Sequence, residues 1–270
     1  MIDVACVQLN VGEELGPNLD HASELIAAAA STLPASDNRL IVTPEMTSGI
    51  VKGRERALAS ALPMAEHPAI IRFSEQAALS RSWLLIGSIS VKLEDDERLA
   101  NRSLLFNPDG ELVAHYDKQH MFDVDVTGDQ VYCESNTYRP GDKTVSADIG
   151  AATLGLSICY DVRFPALYRA LARAGAGVIA VPAAFTVPTG KAHWSVLLRA
   201  RAIETGSFIV APGQTGEHHP GRVTYGHSMI ISPWGEVLAE ADDQPGVISA
   251  SLDLALVDKA RKAVPAWQFD

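Results

Sequence analysis

The chain is poor in cysteine, in aromatic side chains and in positive charge. Three cysteines, Cys6, Cys133 and Cys159, occur in 270 residues. An odd number, with no CxxC spacing and no His-rich tract, excludes a disulfide framework and argues against a structural zinc site. Lys and Arg number 22 against 33 Asp and Glu, a formal net charge of −11. No basic stripe exists that could release phosphate counterions, so no nucleic-acid partner is expected. The longest apolar run, VIAVPAAFTV at 178–187, contains Pro182 and is about half the length of a membrane helix, so no membrane partner is expected either. The opening MIDVACVQLN has neither a basic n-region nor an apolar h-region. It does not read as a signal peptide, and the expected location is cytoplasmic, with reduced thiols. A Gly-rich phosphate loop is also missing: GAGV at 175–178 reads as a helix stop. No cofactor and no metal are expected.

What is present is a large apolar fraction, 47% of the residues, in a chain long enough to bury roughly three quarters of its unfolded surface. Short β-branched runs alternate with Ala-rich amphipathic stretches. Strands are expected at 3–9, 40–43, 83–90, 103–107, 111–116, 152–158, 178–181, 208–211, 227–232, 236–239 and 247–252. Helices are expected at 19–33, 68–81, 165–174, 192–205 and 254–263. In the fourth of these helices the spacing of Trp194, Leu197, Leu198 and Ile203 reads as core. Pro165 suits a first helical position and Gly175 the stop of the same helix. The alternation is α/β, and with no Ser/Gly linker the expectation is one domain over 1–270.

An internal echo runs through it. SLLFNPDGELVA at 103–114 matches SMIISPWGEVLA at 228–239, and IVTPEM at 41–46 echoes IAVPAAF at 179–185. Either the halves, about 1–117 and 151–241, are duplicates, or two hairpins share Pro-Gly turn chemistry. Duplicate halves would give a four-layer αββα sandwich: two mixed sheets face to face, flanked by helices.

Three residues stand where such sheets expose chemistry, directly after apolar strands. Cys159 ends TLGLSIC and precedes a helix start, whose backbone N–H groups should lower a thiol below its free pKa of about 8.5. Position alone leaves a buried packing cysteine equally open. Glu45 follows a strand and Pro44; burial there would raise its pKa toward that of a general base, whereas a solvated loop Glu would not be shifted. Lys118 closes a hairpin arm, as an oxyanion-holding cation or an ordinary surface lysine. Cys6, inside a strand, and Cys133, in a loop, read as structural. His120, His193 and His227 suggest a Cys–His arrangement, which would leave the Glu and Lys motifs unexplained.

TPEM (43–46), YDKQHMFD (116–123) and LSICYDVRFPALYRALARAGAGVIAVPAAF (156–185) resemble the nitrilase (carbon–nitrogen hydrolase) superfamily. TGKAHWSVLLRARAIET (189–205) and TYGHSMIISPWGEVLAE (224–240) resemble its Nit branch, and the likeness extends to about residue 256. The resemblance implies an αββα sandwich and a Glu45–Lys118–Cys159 triad, with Glu134 as a second buried glutamate orienting Lys118 or Glu45 and the Tyr160 backbone N–H as an oxyanion donor. It also implies hydrolysis of a small carboxylate-bearing amide through a Cys thioester, releasing ammonia. RARAIET, GQTGEHH and YGHSM point to deaminated glutathione, with α-ketoglutaramate or α-ketosuccinamate (an ω-amidase) as the alternative. A binding or scaffold protein that kept the fold without turnover is a third reading. Arg163, held out of the helix by the following Pro165, is the candidate carboxylate fork, unless it pairs with Asp161. Phe185 and Thr189 are placed by the resemblance in the substrate pocket, although Phe185 could be ordinary core. A homodimer or higher homo-oligomer is a family expectation. TPEM and YDKQHMF depart from the usual LPEA and YRKxHLF forms, which bears on the pocket wall rather than on the reacting residues.

Overall fold

Val4 and Cys6 of the first strand pack on one side of their sheet and Ala5 and Val7 on the other, and all four are fully buried. This is the pattern of a strand covered on both faces. The computed structural model describes residues 1–126 and 131–269. The first half runs β1 (Ile2–Gln8), α1 (Leu15–Thr32), β2 (Arg39–Val42), α2 (Arg54–Ser60), α3 (Pro68–Ser80), β3 (Trp83–Lys92), β4 (Leu99–Phe106) and β5 (Leu112–Asp117). A small hairpin, β6 (Asp123–Asp125) and β7 (Val131–Cys133), leads to β8 (Ser146–Asp148), β9 (Thr153–Leu156), α4 (Pro165–Arg173), β10 (Val178–Ala180), α5 (Val187–Thr205) and β11 (Phe208–Ala211). A second hairpin, β12 (Thr215–His219) and β13 (Arg222–Tyr225), precedes β14 (Met229–Ile231), β15 (Val237–Glu240), β16 (Gly246–Leu252) and α6 (Ala255–Ala263).

The two six-stranded sheets share one plan. The first has the order β16-β1-β2-β3-β4-β5 and the second, read from its far edge, β8-β9-β10-β11-β14-β15. In each, three parallel strands lie between antiparallel neighbours. Leu40, Val42, Leu85 and Leu105 face the second sheet, while Ile41, Leu84, Leu104 and Phe106 face α1 and α3. The second sheet is covered on its outside by α4 and α5. The result is the expected class: two mixed sheets flanked by helices. Strand β16 pairs with β1, so the end of the chain returns to the first sheet.

Several boundaries differ from the sequence reading. Helix α5 begins at Val187 rather than at 192, because Pro188 sits in the first turn, where a missing N–H costs nothing. Helix α1 likewise starts at Leu15. Cys133 closes β7 rather than lying in a loop. Helix α2 and both small hairpins were not expected. Trp194 and Leu198 are core, but Ile203 is 51% exposed, on the outer face of α5. Strand β3 is longer than expected and carries an irregularity between Ile86 and Ile89.

Candidate active site

That irregularity positions Glu45. The segment after β2 is stitched to β3 by Thr43 N–H donating to the Leu85 carbonyl (3.0 Å), Ser88 N–H to Pro44 (3.3 Å) and Thr47 N–H to Ser88 (2.8 Å). Gly87 lies under this turn. A Cβ there would overlap the carbonyl oxygens of Thr43 and Pro44 and the Pro182 ring, which belongs to the other sheet. Met46, at φ 57°, completes the turn in a left-handed conformation, sparsely populated for a residue with a side chain.

Lys118 follows β5, fixed by its N–H to the Asn101 carbonyl (3.0 Å) and by Gly141 N–H to its own carbonyl (2.8 Å). Its side chain is 2% exposed. It reaches Glu45 Oε1 at 2.8 Å and Glu134 at 3.0 Å (Oε1) and 2.8 Å (Oε2).

Cys159 opens a helical turn over Cys159–Arg163 at φ 50°, its N–H donating to the Pro182 carbonyl at 2.9 Å. Asp161, fully buried, ties this turn to the lysine strand. It accepts from Ile158 N–H (2.9 Å), the Tyr116 hydroxyl (2.7 Å) and His120 N–H (3.0 Å), and its Oδ1 lies 2.7 Å from His120 Nδ1. Tyr116 and His120 stand two residues either side of Lys118.

The three candidates therefore meet, although each comes from a different part of the chain. Glu45 Oε1 accepts from Lys118 and from the Asn101 amide (2.9 Å), its Oε2 accepts from Ala184 N–H (3.0 Å), and the Cys159 thiol hydrogen-bonds the same carboxylate. Asn101 also donates to Glu134 Oε1 (3.1 Å), and Phe122 N–H donates to Glu134 Oε2 (2.6 Å).

Two expectations about charge are reversed. Burial, reinforced by the neighbouring Glu45 carboxylate, pushes the Cys159 thiol well above its ordinary value. The lowering expected from the helix start fails because the turn is buried against a negative charge. Burial also pushes Glu45 upward, but the Lys118 charge together with hydrogen bonds from Cys159, Lys118 and Asn101 holds it below the usual carboxylate value. Burial opposes the Lys118 charge, yet Glu134 and Glu45 together raise it well above a normal lysine. The resting pair is a carboxylate facing a neutral thiol, with an ammonium alongside. Cys6, by contrast, is pushed up by burial alone among the sheets, and Cys133 is an exposed thiol.

These groups line a cavity of about 370 Å³ together with Tyr160, Phe185 and Thr189. Phe185 and Thr189 are thus both buried and on the cavity wall. The Thr189 hydroxyl lies 3.0 Å from that of Thr186. Tyr160 is the second residue of the helical turn, where a backbone N–H has no partner within its own helix. Arg163 does not line the cavity and does not pair with Asp161. Its guanidinium rests on the rings of Tyr160 (5.6 Å) and Phe185 (5.5 Å) and shares His193 Nδ1 at 3.3 Å. Glu134 is half-buried rather than enclosed. Sequence reasoning missed Asn101, Asp161, the Ala184 N–H and Arg222, which also lines the cavity; each makes at least one hydrogen bond across more than 40 residues, and no local spacing marks it. Among the described residues no group of three or more His, Cys, Asp or Glu could hold a metal ion, and no helix is long and apolar enough to cross a membrane.

Residues 3–262 match the model of the carbon–nitrogen hydrolase family. The chain is 36% identical over 277 residues to a deaminated glutathione amidase of Yersinia enterocolitica, covering 99% of this chain and 92% of that protein. It is 44% identical over 190 residues to a human protein of the same name; there the match covers 69% of this chain and 58% of the longer human protein. Among solved structures, Saccharomyces cerevisiae Nit3, described as a member of branch 10 of the nitrilase superfamily, superposes with a TM-score of 0.87. It is 30% identical and the match covers 98% of this chain and 94% of Nit3.

Proposed function

The chain belongs to the carbon–nitrogen hydrolase family, and from that premise we propose that it is a cofactor-free amidase of the deaminated-glutathione type. Its substrate is a small carboxylate-bearing amide. The observation that carries this reading is the buried Glu45–Lys118–Cys159 group on a cavity wall.

In the proposed reaction, Glu45 takes the thiol proton as Sγ of Cys159 attacks the amide carbon. The carbonyl oxygen gathers the displaced electron pair between Lys118 and the Tyr160 N–H. Collapse expels the amine of the scissile amide (cysteinylglycine from deaminated glutathione, ammonia from a primary ω-amide), which receives the proton held by Glu45, and leaves a thioester. Water, deprotonated by Glu45, attacks the thioester, and the thiol recovers its proton as the carboxylate product departs. The high thiol value fits this order, since the proton leaves sulfur during attack rather than beforehand. Glu134 and Asn101 fix which Glu45 oxygen faces the lysine, and Phe185 and Thr189 form the wall against the substrate.

Hydrolysis of deaminated glutathione, read as release of cysteinylglycine from its γ-amide, compared with ammonia release from α-ketoglutaramate, tests the substrate class. Deaminated glutathione is expected to be the faster; equal rates would remove that ordering, and no release from any amide would remove the amidase reading. The curated relatives reported above carry the first activity in their names, so the ω-amidase alternative has less support. A scaffold role without turnover does not account for an intact buried triad. We also read the location as cytoplasmic and the assembly as a homodimer or higher oligomer. The exposed Val196, Ile203 and Trp234, near where the turn before β15 rests on α5 through Arg199 Nε and the Gly235 carbonyl (2.8 Å), support self-association, which sedimentation tests.

A further inference from the structure

Where the departing amine goes is set by the reaction centre. The attacked carbon carries an oxygen, an acyl chain and the amide nitrogen. In the proposed reaction the oxygen lies between Lys118 and the Tyr160 N–H, and the nitrogen takes its proton from Glu45. The nitrogen, with any substituent on it, therefore lies on the Glu45 side, and the wall of Phe185 and Thr189 is left for the acyl chain.

The cavity continues past Glu45 into a lobe beneath α2. Met46, which directly follows the base, Ile50, Val51, Ala57 and Tyr138 line it, in the same cavity as the triad. The Tyr138 and Ser90 hydroxyls lie 2.8 Å apart and approach Met46 Sδ at 3.9 and 3.5 Å respectively. Tyr138 and Val51 pack on a small core around buried Ala57, separate from the two main cores. The roof of the lobe is fastened at several points. Ile50 N–H donates to the Gly12 carbonyl (3.0 Å), Lys52 N–H to Glu13 Oε1 (2.7 Å) and Arg54 Nε to the Asn136 carbonyl (2.9 Å), while Arg56 pairs with Glu13 at 2.9 Å. None of the five lining side chains is charged at neutral pH. Burial, with the nearby Glu134 and Glu45 charges, pushes the Tyr138 hydroxyl up to about 12, so it stays protonated. Ammonia has no apolar surface to bury and needs no such lobe, whereas an organic substituent on the nitrogen gains by leaving water there.

We propose that this lobe is a leaving-group subsite, in which Met46, Ile50, Val51, Ala57 and Tyr138 receive an uncharged organic substituent on the amide nitrogen. The proposal deepens the amidase reading and rests on it for the place of the nitrogen, but the lobe can be tested without turnover. Glutaramate and N-butylglutaramate serve as probes. They share one acyl chain and differ only in the butyl group, so any difference between them belongs to the nitrogen side. In titration calorimetry on the Cys159→Ala protein, the butyl group is expected to tighten binding about 10–100-fold, the scale of burying a few methylenes. Adding Ala57→Phe, whose ring enters the lobe, should weaken N-butylglutaramate about 10–100-fold more than glutaramate. Equal binding of the two probes to Cys159→Ala, or equal losses of both with Ala57→Phe, overturns the proposal. Should Ala57→Phe lack a native melting profile, Ile50→Ala decides: a loss confined to N-butylglutaramate supports the lobe, and equal losses remove it. In the active enzyme both amides pass through the same glutaryl thioester. The ratio of kcat/KM for N-butylglutaramate over glutaramate should fall by a similar factor in Ala57→Phe, and an unchanged ratio overturns the proposal. Failure of wild type to hydrolyse either amide counts against the amidase reading alone, because the titrations on Cys159→Ala still read the lobe.

Discussion

The two sheets have the same strand order but make unlike contributions to the cavity. The first sheet and the segments after its strands bring Glu45, Lys118 and Asn101: formal charge and side-chain donors. The second brings Cys159, Tyr160 and the Ala184 N–H, all neutral in the resting state. In the proposed reaction a nucleophile from one layer is activated by a base from the other, and neither sheet alone holds the pair. The two layers meet where Gly87 lies against the Pro182 ring and where the Ala184 N–H donates to Glu45 Oε2.

Removing charge on the first-sheet side is expected to have the largest effect. Lys118→Met leaves two carboxylates facing each other without a cation. Breaking such a buried pair costs about 3–5 kcal/mol, and losing an oxyanion donor lowers kcat roughly 10²–10³-fold. Denaturant titration and the rate of amide hydrolysis read the two effects separately; a stable, active variant would mean that the cation is dispensable.

Acidification tests the same side without mutation. Glu45 is held below its ordinary value, so its ion pair stabilises the fold above the unfolded carboxylate pKa and is lost as pH falls through the lower folded value. Activity should follow the same limb. Because the thiol lies well above its normal range, kcat/KM should show no rising limb between about pH 6 and 8, where a pre-formed thiolate of lowered pKa would give one. A titration there would mean that the resting nucleophile is ionised.

The seam itself is tested by Gly87→Ala. The added methyl must push the Glu45 turn away from Pro182, an overpacking cost of about 1–3 kcal/mol, with kcat falling more than KM rises. A variant with unchanged kcat would show that the seam tolerates displacement. The smallest effect distinguishes two cysteines. Cys6→Ala, fully buried between the sheets, should cost about 1 kcal/mol, whereas exposed Cys133→Ala should stay within about 0.5 kcal/mol; equal melting shifts would contradict that assignment.

Much of this was legible in one dimension. Apolar runs showed the strands because both faces of each central strand are buried, and a proline or charged residue after a run marked Glu45, Lys118 and Cys159. The short helix α2 was not legible, having too few turns to show a period, and neither was the start of α5, where Pro188 and Gly190 look like breakers although the first turn accepts them. Charge state was misread for a clearer reason. Burial and then the Glu45 charge push the thiol up, while Lys118 chiefly holds the carboxylate down, and these pairings span 114 residues, from 45 to 159, and 73, from 45 to 118. Asp161 was weighed only as a neighbour of Arg163, whereas it binds Tyr116 and His120 across the sheet interface.

The central claim is that Cys159 alone carries the acyl group, on the neutral side of the seam. Rapid quenching of wild-type enzyme during turnover of an amide substrate, followed by proteolysis and mass spectrometry, reads this directly. The acyl mass should appear on the peptide containing Cys159, be absent from those containing Cys6 and Cys133, and vanish together with amide hydrolysis in Cys159→Ala. An acyl adduct on another residue, or amide hydrolysis persisting in Cys159→Ala, would show that the nucleophile lies elsewhere.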